Sequence, residues 1–245
     1  MSTESGPGWV NVGAADVDLQ GFGGAHIEPF LVGRWPVTEA QFDEFLAADD
    51  GYGKAKWWTN IPDGRTSPPV PSLGRSDFPR VSVNWYDCVA YGRWASERSG
   101  RLTRLPSEWE WVLAVRENSA GKYPFGDHFD PARYNTREAG IGSVVSLSRP
   151  SARGLAVVDT CGNVWERCLG EHGNPAMVSS AGTSNRVIRG GSWMFSRREA
   201  IAHHRQVCVA SRRFDDGGFR VIRTEESREP TLIEVVRSTN GPHDG

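Results

Sequence analysis

Apolar residues recur at helical spacing in three places along this chain and at strand spacing in a handful of short ones. Over 37–46, Phe42, Phe45 and Leu46 fall three to four residues apart. Thr38 stands where an N-cap hydroxyl accepts a backbone N–H, and Gln41, three residues on, completes a capping box, so a helix is predicted there. The spacing returns after Pro79-Arg80-Val81-Ser82-Val83-Asn84, at Trp85, Cys88, Val89, Gly92 and Trp94-Ala95, and Ser99-Gly100 closes this second helix. A third, short helix is expected to open at Pro106-Ser107-Glu108-Trp109-Glu110-Trp111, with Ser107 as cap and Glu110 in the box position.

Strands are expected at 9–12, 25–32, 102–105, 185–193 and 219–223. The tail after Thr224 is polar enough to fray, with room for a short strand at 232–236. Residues 49–77 are rich in Gly, Pro, Ser and Asp around Trp57 and Trp58, the pattern of a long surface loop pinned by aromatics, and 121–150 has almost no periodicity. Gly21-Phe22-Gly23-Gly24 reads as a turn, since it fits neither a P-loop nor a dinucleotide fingerprint.

Composition narrows the class. Ten Trp, 28 Gly and 15 Pro in 245 residues favour a turn-rich, irregular fold anchored by large rings, and the length suits one domain over 1–223 with a polar tail at 224–245. Against 30 Asp+Glu the 28 Lys+Arg leave a net charge of -2, so nucleic acid is not an expected partner. No run approaches the roughly 20 apolar residues of a membrane span, and the first ten residues lack a basic start, so no membrane association and a cytoplasmic location are expected. Cys88, Cys161, Cys168 and Cys208 show no CxxC spacing and read as buried free thiols.

Five segments, in order, resemble the formylglycine-generating enzyme, or sulfatase-modifying-factor, family. They are Pro36-Val37-Thr38 with Gln41-Phe42; Pro79-Arg80-Val81-Ser82-Val83; Arg104-Leu105-Pro106-Ser107-Glu108-Trp109-Glu110; Gly162-Asn163-Val164-Trp165-Glu166; and Arg189-Gly190-Gly191-Ser192-Trp193 through Gly218-Phe219-Arg220. The resemblance covers about residues 9 to 223. It implies an α+β fold of the C-type-lectin type, two main helices on small twisted antiparallel sheets, with little regular secondary structure.

It also implies structural calcium, a hard cation that takes six to eight oxygens. Two oxygen-donor sets match, Asn135, Thr136, Glu138 and Gly140, and Asp159, Gly162, Val164 and Glu166; the same residues in tight turns would otherwise satisfy backbone amides. The family's oxidases hold copper(I) on two cysteines just after the Gly-Gly-Ser segment, and those positions fall here on Phe195 and Ala200. Copper and its cysteine chemistry are therefore not expected.

Other catalytic constellations are weak. The six histidines show no i, i+4 pairing, and adjacent His203 and His204 point to different faces. Ser192 with one of them lacks a Gly-x-Ser-x-Gly elbow. Residues 194–216 carry arginines interleaved with Phe195 and Phe214, which suits an anionic or aromatic ligand, or else pairing with the chain's own Glu166, Asp215 and Asp216.

The expected function is binding of a peptide or small molecule in a cleft rimmed by Asn163, Trp165, Ser192, Trp193, Phe195, Arg197, His203 and Arg205. The alternatives are a peptide- or natural-product-tailoring oxidase with an unidentified metal, and a diversified or regulatory binding module.

Overall fold

The computed structural model describes residues 8–61, 68–70, 72, 74–118, 121–148, 154–225 and 230–236. Each of its three α-helices starts on a reciprocal side-chain cap. At α1 (Glu39–Ala47) the Thr38 hydroxyl accepts from the Gln41 N–H at 3.2 Å and the Gln41 side chain accepts from the Thr38 N–H at 2.9 Å. Asn84 and Asp87 do the same for α2 (Trp85–Ser99), which ends on left-handed Gly100, and Ser107 and Glu110 for α3 (Glu108–Arg116). One such cap contributes about 1 kcal/mol. The third helix runs five residues beyond the segment that signals it.

Strands β1 (Trp9–Val12), β4 (Phe30–Gly33), β5 (Leu102–Arg104) and β10 (Ile222–Thr224) form an antiparallel sheet in the order β1-β4-β10-β5, which sets the first and last strands on either side of β4. Between β1 and β4 lies a hairpin, β2 (Ala15–Leu19) with β3 (Gly23–Ile27), turned at Gly21 and Phe22. The stretch expected as one strand over 25–32 is thus two, separated at 28–29.

A third sheet has the order β8-β7-β6-β9, from β6 (Trp165–Glu171), β7 (Arg186–Arg189), β8 (Arg205–Cys208) and β9 (Gly217–Gly218); β9 is parallel to β6, and the other pairs are antiparallel. The architecture is α+β with three small sheets.

One core lies between α1 and α2, where the rings of Phe42, Phe45, Tyr91, Trp94 and Phe219 meet at 5.2 to 6.1 Å between centroids. Trp57 and Trp58 join it from a single 3₁₀ turn (Ala55–Trp58), their indoles donating to the Asp50 and Tyr52 carbonyls. A second core packs the hairpin and β4 against α3. The tail contributes as well: residues 230–236 lie along the fold through bridges of Leu232 to Met177 and Val236 to Gly24, with the Ile233 side chain packed on both cores.

Five buried acids pair with arginines. Glu39 pairs with Arg75 (2.8 Å), Asp87 with Arg213 (2.9 Å), Glu110 with Arg104 (2.7 Å), Glu166 with Arg220 (2.5 Å), and Glu108 with both Arg189 (2.5 Å) and Arg205 (2.6 Å). No helix among the described residues is long and apolar enough to cross a membrane.

Candidate functional site: a groove on the third sheet

The segment 162–166 enters β6 from a tight turn. Gly162 has φ +78°, and a Cβ there would stand 2.5 Å from the Asn135 carbonyl oxygen, so a side chain is excluded by both backbone and space. Asn163, fully buried, ties three loops together. Its Oδ1 accepts from Asn135 Nδ2 and the Val145 N–H, both at 3.0 Å, and its Nδ2 donates to Asp159 at 2.7 Å.

From Trp165 on, side chains alternate between the two faces of the sheet. Glu166 lies opposite Arg189, and Arg189 opposite Arg205; these three share the face that covers α3, where the Trp111 indole donates to Glu166 at 2.7 Å and Glu108 takes both arginines. Trp165, Ile188 and Cys208 cluster on the other face with Phe214.

That second face is the floor of a groove of about 430 Å³. Met194, Phe195 and Val209 line it, each at least a third exposed, and the Phe195 ring meets Trp165 edge-on at 5.2 Å between centroids. Asp215 and Asp216 line it too; Asp216 is buried and accepts a hydrogen bond from the fully buried Ser192 hydroxyl. Burial, reinforced by neighbouring Asp215, holds the Asp216 carboxyl above the usual carboxylate range. A second depression, of about 450 Å³, shares Asp215 and carries Arg75, Arg80 and Trp193.

The eight residues expected around one cleft are therefore divided. Trp165 and Phe195 form floor and wall of the groove, Ser192 supports Asp216 from beneath, and Trp193 lines the second depression. Asn163 is a loop clamp, and Arg205 lies on the opposite face of the sheet. Arg197 is exposed and holds Glu138 through its backbone N–H, and His203 is exposed and lines neither depression; His204 is the one near the Trp165 ring, at 5.9 Å. Sequence reasoning missed Ile188, Val209 and Asp216. The one signal for them was a run of apolar residues at 207–210 beside a strand edge.

The two oxygen sets differ in what they leave free. Asn135 Oδ1 is buried with no hydrogen-bond partner among the described residues, an acceptor that a cation would satisfy. Nearby, burial would raise Glu138, but the Arg197 N–H and the Thr136 hydroxyl hold it below its usual range, ionised; Gly140 ends the same turn in the left-handed region. In the other set Glu166 is already neutralised by Arg220 and Trp111, Gly162 accepts from the Val164 N–H, and one Asp159 oxygen is engaged by Asn163. In the first set both Glu138 oxygens and the Thr136 carbonyl also accept hydrogen bonds, so what favours a hard cation there is the open Asn135 Oδ1, with which the others would be shared.

The domain model described as sulfatase-modifying factor enzyme 1-like matches residues 6–225. The chain belongs to this formylglycine-generating-enzyme family. It is 32% identical to the formylglycine-generating enzyme of Streptomyces coelicolor, with 69% of this chain and 68% of that one covered. It is 28% identical to the inactive C-alpha-formylglycine-generating enzyme 2 of Bos taurus, with 73% and 70% covered. Among solved structures, PvdO from Pseudomonas aeruginosa superposes with a TM-score of 0.69 at 24% identity, over 90% of this chain and 95% of that one, which shows a shared fold.

Of the two positions where the family resemblance places cysteines, Phe195 is the groove wall. Ala200 is buried in a small cluster with Tyr123, Tyr134 and Cys161. All four cysteines are free and buried, and burial pushes the Cys88 and Cys168 thiols well up. No three His, Cys, Asp or Glu side chains come together as a metal centre among the described residues.

Proposed function

We propose that this chain is a ligand-binding member of the formylglycine-generating-enzyme family, holding a peptide or small molecule in the groove over Trp165 without copper-dependent cysteine oxidation. The observation that carries this reading is the groove wall itself: Met194, Phe195 and Val209 stay exposed together around a concave floor. Contiguous exposed apolar surface of this kind marks a binding site more often than a bare solvent face. Phe195 and Ala200 offer a ring and a methyl group where two thiolates would be needed to clasp copper(I).

Copper(I) titration of the reduced protein against a chromogenic chelator tests the second half of the reading. The expected result is no stoichiometric uptake. Tight uptake together with formylglycine formation on a cysteine peptide would overturn it.

Calcium belongs to the same proposal, held by the Asn135 and Glu138 side chains with the Thr136 and Gly140 carbonyls, where it would fix the loop that Asn163 clamps. At a free concentration of 100 times its Kd such an ion stabilises by about 2.7 kcal/mol. Chelation should therefore lower the thermal midpoint by several degrees, and an unchanged midpoint would exclude a structural ion.

A further inference from the structure

Five buried carboxylates in this fold are closed by arginines: Glu39, Asp87, Glu108, Glu110 and Glu166. Asp216 differs from these five. It is 4% exposed, its partner is the neutral Ser192 hydroxyl, and no other residue among the described ones donates to its second oxygen. Asp215 beside it pairs with no cation among the described residues either. The one cation at the rim, Arg212, stands over the Phe214 ring at 5.9 Å and forms no ion pair with either acid. Two carboxyl groups without a counter-ion thus line a groove whose other walls are aromatic and aliphatic.

We propose that the groove selects an organic cation: an ammonium or guanidinium group seated between Asp216 and the Phe195 ring, carried on an apolar body that packs over Trp165. The inference rests on the groove being the ligand site. Three effects act together. A cation supplies the charged donor that Asp216 lacks, its present donor being the neutral Ser192 hydroxyl. It relieves the repulsion between Asp215 and Asp216, which together with burial holds the Asp216 carboxyl high. Ring faces attract cations; the Phe214 ring already carries the Arg167 and Arg212 guanidinium groups at 4.9 and 5.9 Å from its centroid, whereas the exposed Phe195 ring has no cation over it among the described residues. The arginines at 197 and 205, which in sequence suggest an anionic ligand, lie outside the groove.

The test is calorimetric titration of the full chain with phenethylammonium, its neutral isostere phenethyl alcohol, and phenylacetate. The amine should bind at least about 10-fold tighter than the alcohol, the gain expected of one charge-assisted hydrogen bond, with the carboxylate weakest. Asp216→Asn, which keeps shape and an acceptor for Ser192, should bring amine and alcohol within about 3-fold of each other while the alcohol's affinity holds. Arg212→Ala, at an exposed position, should strengthen the amine alone. A blocked lysine peptide binding tighter than the free amine makes the ligand a peptide, and the reverse order makes it a small-molecule amine; both agree with the inference. Equal affinity of amine and alcohol, or an unchanged ratio in Asp216→Asn, overturns the cation subsite and leaves groove binding standing. Failure of all three probes at millimolar concentration overturns both.

Discussion

Trp165→Ala and Phe195→Ala remove the two rings that meet over the groove, yet their consequences should diverge. Trp165 is 1% exposed, packed with Ile188, Cys208 and Phe214, and its backbone N–H donates to the Asp216 carbonyl. Truncating a buried Trp costs about 3–5 kcal/mol in lost transfer energy and residual cavity. In a chain of this size each kcal/mol moves the thermal midpoint by about 2–4 °C, so a fall on the order of 10 °C or more is expected. Phe195 is 36% exposed, and its main ring contact is the edge-on one with Trp165. That contact contributes about 0.5–1.5 kcal/mol, and with the partial burial lost the total should stay below about 2 kcal/mol. Thermal and urea unfolding measure both variants, with an unchanged urea m value confirming that stability alone has moved. The Phe195 variant, folded near the parent midpoint, should lose most of its phenethylammonium affinity. A Phe195 variant that unfolds like the Trp165 variant, or one that binds like the parent, would refute the placement of floor and wall.

Other outcomes follow from the buried charges. Glu108→Gln leaves Arg189 and Arg205 facing each other without their shared carboxylate, and urea unfolding should show a loss of about 3–5 kcal/mol. Burial would raise Glu110, but Arg104 and the Ser107 amide hold its carboxyl below the ordinary range. Its stabilisation is therefore present above about pH 4.3 and fades as pH falls through the lower folded value, so Glu110→Gln should flatten the acid limb of the stability curve between about pH 5 and 3. Asp216 has the opposite sign. With its folded value raised, its contribution favours the fold below the unfolded value and turns unfavourable as pH rises through the folded one. Asp216→Asn should accordingly melt higher than the parent at pH 7 and near it at pH 3.5, while losing the preference for the amine.

Much of the helical framework is legible because local chemistry sets it. Thr38 with Gln41 and Ser107 with Glu110 form the capping boxes their spacing predicts, and Gly100 ends α2 as expected. The third sheet is not legible in the same way. In β6 nearly every side chain is buried on both faces, and its charges are matched by distant partners such as Arg220 on Glu166, so Trp-Glu-Arg-Cys-Leu shows no alternation to read. The same two-sided burial explains why Trp165 and Arg205 read as members of one cleft. Strand pairing sends them to opposite faces, and that register depends on contacts far apart in sequence. The family resemblance draws attention to Trp165, Ser192 and Phe195, but the residues that set the character of the groove, Val209 and Asp216, meet through folding.

Labelling the methionine methyls tests groove binding most directly, because the chain has three, at 1, 177 and 194, and of the two among the described residues only Met194 lines the groove. On titration with phenethylammonium, the Met194 methyl resonance, assigned by its loss in Met194→Leu, should shift and saturate with the calorimetric Kd while the Met177 methyl stays in place. A stationary Met194 signal alongside measurable binding, or equal shifts at Met177, would put the ligand elsewhere on the protein and contradict the account.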